Sequence, residues 1–385
     1  MDFSLSEDHR AIQDAVRRFA HNEIAPHVQQ WEEQGMLPRE VLGQMAEMGL
    51  FGCLLPERYG GTDYGFLAMA LITEELSKAS SSLRGAMNMQ CNGTAYNIYK
   101  HGSEELKQKH IPALINAEKL GCFAITEPDV GSDVMAISTR ATAQGDHYLL
   151  SGTKTWISFA PVADLAVVYA CTNPEARRER LSAFLVDMHS PGITTSTIPK
   201  MGSHAFPTGE IVFDEVLVPR ENLLGQEGQG AEILFGSLPV TRIGVAAGAV
   251  GLAQACLEEA VKYCQQRKQF GQAIANFQMN QSAVAEIATA IEAARLLAYR
   301  AAWQRDHGVN NNVLEISYAK MFAANVAMQA ANTALDLHGA YGYAAEYPVS
   351  RFFREAKFYQ IVEGTPNIHR LIIGQDWLGL RKANR

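Results

Sequence analysis

The chain has 385 residues, of which 47% are hydrophobic and 19% charged, and its formal net charge at pH 7 is −8. These values are typical of a globular protein with two or three domains, and the acidic balance disfavours nucleic acid or a membrane as a partner. The six cysteines form no Cys-x-x-Cys pair and the eleven histidines no His-Glu-x-x-His motif, so we expect no metal site and a cytoplasmic location. The start of the chain lacks the apolar core of a signal peptide, and the longest apolar stretch, residues 243–257, is too short to span a bilayer.

The first third of the chain has the residue spacing of helices. Ser6 is suited to cap the first helix. The acidic residues Glu7 and Asp8 that follow interact favourably with the positive end of the helix dipole. Further helices are predicted over residues 38–49, 66–79, 83–100 and 103–117. We therefore expect residues 1–118 to form an N-terminal α-helical domain.

The pattern then changes to short runs typical of strands. These runs cover residues 122–126, 147–150, 165–171, 183–186 and 210–218, with turn residues such as those at 145–146 and 191–192 between them. A stretch of strands between two helical regions predicts a separate β-barrel or sandwich domain, which we assign to residues 119–228.

Long helices are predicted in the last part of the chain, over residues 230–266, 276–307 and 312–337. Val284, Ile287 and Ile291 recur at steps of three and four, so the second of these helices packs against its neighbours. Small residues at 246–251 allow another backbone to approach the first helix closely. We expect residues 229–385 to form a bundle similar to a four-helix bundle, in an α+β multidomain protein.

A carboxylate lies at the start of a last predicted helix. Glu363 precedes Gly364, Thr365 is a plausible N-cap, and Pro366 is suited to the first helical turn. A carboxylate in such a turn can point at a ligand, and Gly364 lets the backbone come close to it. Taken alone, the pair is more typical of a simple helix end.

Three motifs resemble the acyl-CoA dehydrogenase family, and the resemblance covers essentially the whole chain. Residues 126–133 read TEPDVGSD, residues 154–158 read KTWIS, and residues 267–271 read RKQFG with Gln278 further on. The order of a helical, a β and a second helical domain is also that of the family. In members of this family, the Glu of the Glu-Gly-Thr segment is the general base, and Glu363 is the matching residue of this chain.

The resemblance implies an FAD site on the β domain. Phe123 and Thr126 are expected to contact the flavin, and Ser132 to lie between the flavin and the CoA phosphates. Trp156 is expected to cover one face of the flavin ring and Ser158 to hydrogen-bond its N5 or O4 edge. Taken alone, Trp156 is more typical of a core tryptophan on a hairpin.

A second set of residues is expected to bind the FAD of a neighbouring subunit, which implies an oligomer, expected to be a homotetramer. Arginine suits the diphosphate because its planar fork donates two hydrogen bonds at once. The residues of this set are Arg267, Phe270, Gln278, Asp336, Gly339 and Ala340, and Thr365 and Asn367 are further expected FAD contacts. Most members of the family have glycine where this chain has Ala340.

The implied reaction is the α,β-desaturation of an acyl-CoA thioester, with electron-transfer flavoprotein as the electron acceptor. Glu363 removes the α-proton while a hydride leaves the β-carbon for the flavin N5, and apolar Val362 is expected to raise the pKa of Glu363. Some relatives carry the base where this chain has Thr241, which cannot serve, so Glu363 is the expected base. Gly364, Arg242 and Ser132 are expected to contact the substrate.

Residues 80–87 resemble the glutaryl-CoA dehydrogenase group, in which the residue matching Arg84 binds the distal carboxylate. Arg84 and Gly85 are thus expected in the acyl pocket; the alternative is that Arg84 caps a helix or pairs with Glu74 or Glu75. Many members of that group have a tyrosine where this chain has Val362 and an acid where it has Ser77. We therefore expect a dicarboxylic acyl-CoA, such as glutaryl-CoA or a substituted succinyl-CoA, to be desaturated without decarboxylation.

Three alternatives stay open at this point. The substrate could be a ring-bearing acyl-CoA, for which Gly85 and the methionines near it leave room. An acyl-CoA oxidase would use the same flavin and base, although such chains are typically much longer. A non-catalytic member would usually lose the base, whereas Glu363 is present.

Overall fold

The computed structural model describes residues 4–176 and 178–384. The N-terminal region consists of helices, and Ser6 caps the first of them by accepting a hydrogen bond from the His9 N–H over 3.1 Å. The α-helices of this region are α1 Glu7–Phe19, α2 Val28–Gln34, α3 Arg39–Glu47, α4 Gly65–Ala79, α5 Ser81–Met87, α6 Tyr96–His101 and α7 Glu104–Ile115.

The helix predicted over residues 83–100 is not continuous. A π-helical segment, Asn88–Ala95, separates α5 from α6. Its buried amides bind across the fold: the Gln90 side chain donates to the carbonyls of Leu114 and Lys119 and accepts from the Gly121 N–H. Such wide turns are rare in helices and frequent near functional sites, and no local spacing predicts them.

The middle region is one hydrogen-bonded sheet of eight strands in the order β6-β7-β3-β2-β4-β5-β8, with β1 paired in parallel to β4. The predicted strands are present and mostly longer than expected, and β2, β6 and β8 were not predicted. The strands are β1 Gly121–Ala124, β2 Arg140–Gln144, β3 His147–Ser158, β4 Leu165–Cys171, β5 Leu181–Asp187, β6 Ile193–Thr197, β7 Thr208–Pro219 and β8 Leu223–Leu224.

The C-terminal region is the predicted bundle of long helices. It contains α8 Gly230–Gln266, a hairpin of β9 Lys268–Gln269 and β10 Gln272–Ala273, α9 Gln278–Asp306, α10 Val313–His338, α11 Pro348–Ile361 and α12 Pro366–Trp377. The first of these helices has the predicted bounds, and the next two differ from prediction by one or two residues at each end.

Helix α8 lies at the centre of the molecule and packs against α4, α9 and α10. Its small residues permit the close approach expected from the sequence, since a Cβ atom at Gly251 would lie 2.2 Å from the carbonyl oxygen of Glu74. Within the described residues α8 alone is long and apolar enough to cross a membrane. Most of it is buried among other helices, so its apolar character is that of a core helix.

Candidate active site

Glu363 lies in the sharp turn between α11 and α12. Its φ angle is +57° and that of Gly364 is +94°, so two successive residues adopt the left-handed conformation. Pro366 occupies the first turn of α12 as predicted. Thr365 occupies the N-cap position as predicted, and its side chain makes no capping hydrogen bond there. A non-glycine residue held in this conformation indicates a constrained, functional turn.

The carboxylate of Glu363 is held by a hydroxyl group. Thr241 Oγ1 donates to Glu363 Oε2 over 2.8 Å. Desolvation by burial raises the pKa of Glu363, against the opposing effects of this hydrogen bond and of the charges on Arg242, Lys320 and Arg84. A carboxylate with a raised pKa is a better base than one in water. The sequence excluded Thr241 as a base but did not reveal that it holds one.

Two cations hold successive carbonyl groups of the turn that carries this carboxylate. Arg242 Nε donates to the carbonyl oxygen of Glu363 over 2.9 Å, and Lys320 Nζ donates to that of Gly364 over 2.6 Å. Both cations are buried, and desolvation together with the nearby Arg242 charge lowers the pKa of Lys320 to about 7. The turn is thus fixed by charge-assisted hydrogen bonds to its main chain.

His369 completes this cluster from the first turns of α12. Its side chain is fully buried, and its ring lies against the main chain of Glu363 and Gly364. Desolvation and the charges of Arg242 and Lys320 lower the pKa of His369 to about 3, so the ring is neutral at pH 7. Lys320 and His369 were not predicted, although a lysine among the apolar residues of α10 is a signal in itself, because buried lysines are rare.

Arg84 lies in α5, with 2% of its surface exposed. Its Nη2 atom is buried without a hydrogen-bond partner, and the guanidinium is close enough to Glu363 to lower the pKa of that carboxylate. The alternative that Arg84 pairs with a neighbouring acid is wrong. Glu74 binds Arg295 and Tyr299 instead, and Glu75 binds Arg17 and Lys78.

Gly85, the residue after Arg84, packs against an aromatic ring. A Cβ atom at this position would lie 2.7 Å from the ring of Phe206, so a larger residue would displace that ring. This close packing explains the glycine without requiring a contact to a ligand.

The residues expected to contact the flavin lie on β1, on β3 and in the turn after β1. Thr155 N–H donates to the Thr126 carbonyl over 2.9 Å and joins the turn to β3. Beneath this junction the fully buried Lys154 ammonium binds the Glu127 carboxylate at 2.9 Å. Burial alone would raise the pKa of Glu127, but Lys154 and the donors of Ser138 and Thr139 lower it to about 2. The ion pair therefore fixes the turn that carries Thr126.

Trp156 is 58% exposed and has a φ angle of +59°. The alternative of a core tryptophan is therefore wrong. Phe123 is buried against Tyr169, whereas Ser158 at the end of β3 is partly exposed and Ser132 is exposed in the turn. An exposed aromatic side chain on a strained backbone, beside partly exposed hydroxyl groups, is a surface built for a flat ligand.

A second cluster lies at the other end of α8. The Arg267 guanidinium lies 5.3 Å from the ring centre of Tyr341, and Phe270 is 92% exposed with a φ angle of +51°. A neighbouring cavity of about 690 Å³ is lined by Asp336 and Gly339 among others. Gln278 begins α9 and Ala340 follows Gly339, and both are exposed.

The two clusters are far apart within one chain. Arg242 and Arg267 are 25 residues apart along α8, which at a rise of about 1.5 Å per residue places them roughly 38 Å from each other.

Three family descriptions match successive parts of the chain. Residues 6–118 match the acyl-CoA dehydrogenase N-terminal domain, residues 122–216 the middle domain, and residues 228–378 the C-terminal domain. The chain belongs to the acyl-CoA dehydrogenase family.

Relatives of this acyl-CoA dehydrogenase match its full length. Glutaryl-CoA dehydrogenase of Desulfococcus multivorans is 51% identical and covers 100% of both chains. A solved complex of glutaryl-coenzyme A dehydrogenase with glutaryl-CoA has a TM-score of 0.98 at 51% identity, covering 100% of this chain and 98% of that one. A chain in the structure of the electron transferring flavoprotein of Acidaminococcus fermentans has a TM-score of 0.95 at 38% identity, covering 98% and 100%.

Acyl-CoA dehydrogenases are FAD-dependent oxidoreductases, so this chain is an FAD enzyme that acts on an acyl-CoA. The residues present fit the cofactor. Trp156 offers an exposed aromatic surface, and Arg267, beside the cavity at the end of α10, offers donors suited to a diphosphate.

Proposed function

We propose that this acyl-CoA dehydrogenase desaturates a CoA thioester whose acyl chain ends in a carboxylate, such as glutaryl-CoA or a substituted succinyl-CoA, and leaves that carboxylate in place. The observation that carries the proposal is the unpartnered Nη2 atom of Arg84, buried near Glu363. A buried guanidinium without an acid is costly unless a ligand supplies the anion. A distal carboxylate is the ligand group that meets this requirement.

In the proposed reaction Glu363 takes the α-proton of the thioester. FAD, when bound, supplies the acceptor for the hydride that leaves the β-carbon. Arg242 and Lys320 hold the carbonyl groups of Glu363 and of the following Gly364, so that the turn carrying the carboxylate is fixed before the substrate arrives. Thr241 orients one carboxylate oxygen and leaves the other for the proton.

The absence of decarboxylation rests on the surroundings of Arg84. Val362 beside the base has no proton to give, and Ser77 near Arg84 is neutral. Among the described residues no acidic side chain forms an ion pair with Arg84, and its Nη2 atom has no partner, so the guanidinium would stabilise the distal carboxylate as an anion and disfavour its loss.

The proposed enzyme is a homo-oligomer that shares FAD between subunits. Roughly 38 Å of α8 separate Arg242 beside the Glu363 turn from Arg267, which is more than one FAD molecule spans, so Arg267 and Phe270 would serve the FAD of a neighbouring chain. Large exposed apolar side chains on the C-terminal bundle favour an interface; they are Phe270, Met279, Tyr343, Trp377, Leu378 and Leu380. We further propose a homotetramer in the cytoplasm, where six free and buried cysteines stay reduced, and electron-transfer flavoprotein as the acceptor.

The experiment compares glutaryl-CoA with pentanoyl-CoA, which has the same chain length and no carboxylate. Arg84→Ala removes the anion's partner and is expected to lower kcat/KM for glutaryl-CoA by about 10²-fold or more, since truncating one member of a buried charged pair costs about 2–5 kcal/mol. Activity on pentanoyl-CoA should stay constant or rise. Electron-transfer flavoprotein serves as the acceptor in both assays.

Arg295→Ala is the matched control, since the Arg295 guanidinium binds Glu74, Glu292 and Gln254 rather than Glu363 or the partners of Arg84. It should affect both substrates alike. An equal loss on both substrates in Arg84→Ala would overturn the carboxylate assignment. Rapid re-oxidation of the reduced enzyme by air would favour the oxidase alternative.

A further inference from the structure

Arg84 is held by a row of polar groups from three other helices. Arg84 Nε donates to the hydroxyl of Tyr359 on α11 over 3.2 Å. That hydroxyl lies 2.7 Å from Ser77 Oγ on α4, which donates over 2.7 Å to the Gly248 carbonyl on α8. At most 2% of the surface of Tyr359, Ser77 or Arg84 is exposed, so water does not substitute for these bonds.

The direction of every hydrogen bond in this row follows from its two ends. A carbonyl oxygen only accepts, so the single hydroxyl proton of Ser77 goes to Gly248. Ser77 Oγ is then the acceptor for the proton of Tyr359. The Tyr359 oxygen in turn accepts from Arg84, and its alternative partner, Ser81, lies further away at 3.4 Å. The row therefore runs one way, from the guanidinium to the main chain of α8.

Packing fixes the same side chain from its other sides. A Cβ atom at Gly248 would lie 2.7 Å from Arg84 Cδ, so the glycine lets the arginine stem cross α8. The Arg84 Cζ atom lies 4.7 Å from the ring centre of Tyr359 and 5.6 Å from that of Phe358. These aromatic contacts set the plane of the guanidinium.

The row holds Arg84 without neutralising it. Its other members, Tyr359, Ser77 and the Gly248 carbonyl, are uncharged, so none of them supplies a counter-charge to the guanidinium, and the Nη2 atom stays without a partner. An ionised acid at position 77 could only accept a hydrogen bond, so it could not donate to the Gly248 carbonyl as Ser77 does. The neutral hydroxyl of Ser77 therefore links Tyr359 to α8 and adds no negative charge beside Arg84.

We propose that Tyr359 and Ser77 are positioning residues that determine specificity: they orient Arg84 so that its free edge meets the distal carboxylate of the acyl chain. The inference rests on the proposed function, because it assumes that Arg84 binds this carboxylate. It adds that the preference for a carboxylate depends on two neutral hydroxyl groups that do not touch the substrate.

The test measures kcat and KM of the FAD-loaded enzyme for glutaryl-CoA and pentanoyl-CoA in Tyr359→Phe and Ser77→Ala. Tyr359→Phe keeps the ring and removes the acceptor, and it should raise KM for glutaryl-CoA about tenfold, because a hydrogen bond to a charged group is lost. Ser77→Ala should have a smaller effect in the same direction. Both variants should keep kcat and KM for pentanoyl-CoA within about twofold.

Control variants separate positioning from stability. Tyr148→Phe removes a buried tyrosine hydroxyl that binds Glu227 in the β domain, and Ser317→Ala removes a buried hydroxyl that binds its own helix. Neither should change the ratio of the two substrates. If Tyr359→Phe does not fold, Ser77→Ala alone decides the question through the same ratio.

Equal losses on both substrates in Tyr359→Phe, or no change on either, would overturn the inference. The proposed function fails separately, when Arg84→Ala keeps the preference for glutaryl-CoA. If Arg84→Ala removes the preference while Tyr359→Phe and Ser77→Ala preserve it, the substrate proposal stands and only the positioning role falls.

Discussion

The two ends of α8 make different kinds of site. Near its start, Thr241 and Arg242 are buried and donate hydrogen bonds to Glu363, so the groups that hold the base all come from one chain. At its far end, Arg267 and Phe270 lie on the surface beside an open cavity, and Phe270 is almost fully exposed. One subunit therefore fixes the base by itself, whereas Arg267 and Phe270 offer hydrogen-bond donors and an aromatic surface to a group from outside that subunit.

The largest expected effect is at the buried end. Glu363→Gln keeps the size and the hydrogen bond from Thr241 but removes the base, so kcat should fall by about 10²–10⁴-fold. Acyl-CoA binding, measured from the change in the flavin spectrum under anaerobic conditions, should persist. Glu315→Gln, which alters a carboxylate on α10 that pairs with Arg300, is the control and should be nearly silent. A kcat within threefold of the wild-type value would show that another group is the base.

At the exposed end, Arg267→Met should weaken FAD binding by about tenfold to a hundredfold, because charge-assisted donors to the diphosphate are lost. FAD content after gel filtration at decreasing protein concentration measures this. Co-expression of Arg267→Met with Glu363→Gln subunits sharpens the comparison. If FAD is shared, a mixed oligomer contains sites with an intact Glu363 from one chain and an intact Arg267 from the other, so activity should return. No recovery in isolated mixed oligomers would place both residues at one chain's own site.

A smaller effect is expected from Lys320→Met. The change removes the donor to the Gly364 carbonyl and a positive charge that lowers the pKa of Glu363. The pKa of Glu363 should therefore rise further, and because the base must be ionised, the acid limb of the pH profile of kcat/KM should move to higher pH. At pH 7 we expect a loss of about tenfold or less.

Lys262→Met, which alters an exposed lysine paired with Glu259, is the control for this profile. A uniform loss at every pH, without a shift of the acid limb, would mean that Lys320 acts on the turn only through packing.

Local sequence patterns were sufficient for the long helices. The bounds of α8 and the seam of α9 could be predicted because their apolar spacing extends over many turns. Strands β2 and β6 escaped prediction because they are short and mostly exposed, and they lack the alternation of a half-buried strand. The π-helical segment Asn88–Ala95 escaped because its buried amides bind residues of other elements.

The residues of the site also fall into two groups, those that sequence motifs predict and those that only the folded chain brings together. Glu363, Arg84 and the residues of β1 and β3 stand in recognisable motifs, so their candidacy could be predicted. Lys320 and the hydrogen bond between Thr241 and Glu363 could not, because their partners are 44 and 122 residues away and meet only in the folded chain. The same holds for the contact of Ser77 with Tyr359, which spans 282 residues.

The most direct test of the central claim is anaerobic mixing of the FAD-loaded enzyme with glutaryl-CoA labelled at its distal carboxyl carbon. We expect the yellow absorbance of oxidised flavin to bleach and the label to remain in an unsaturated five-carbon dicarboxylic thioester. Release of the label as carbon dioxide with formation of crotonyl-CoA, or a flavin spectrum that does not change, would contradict the account.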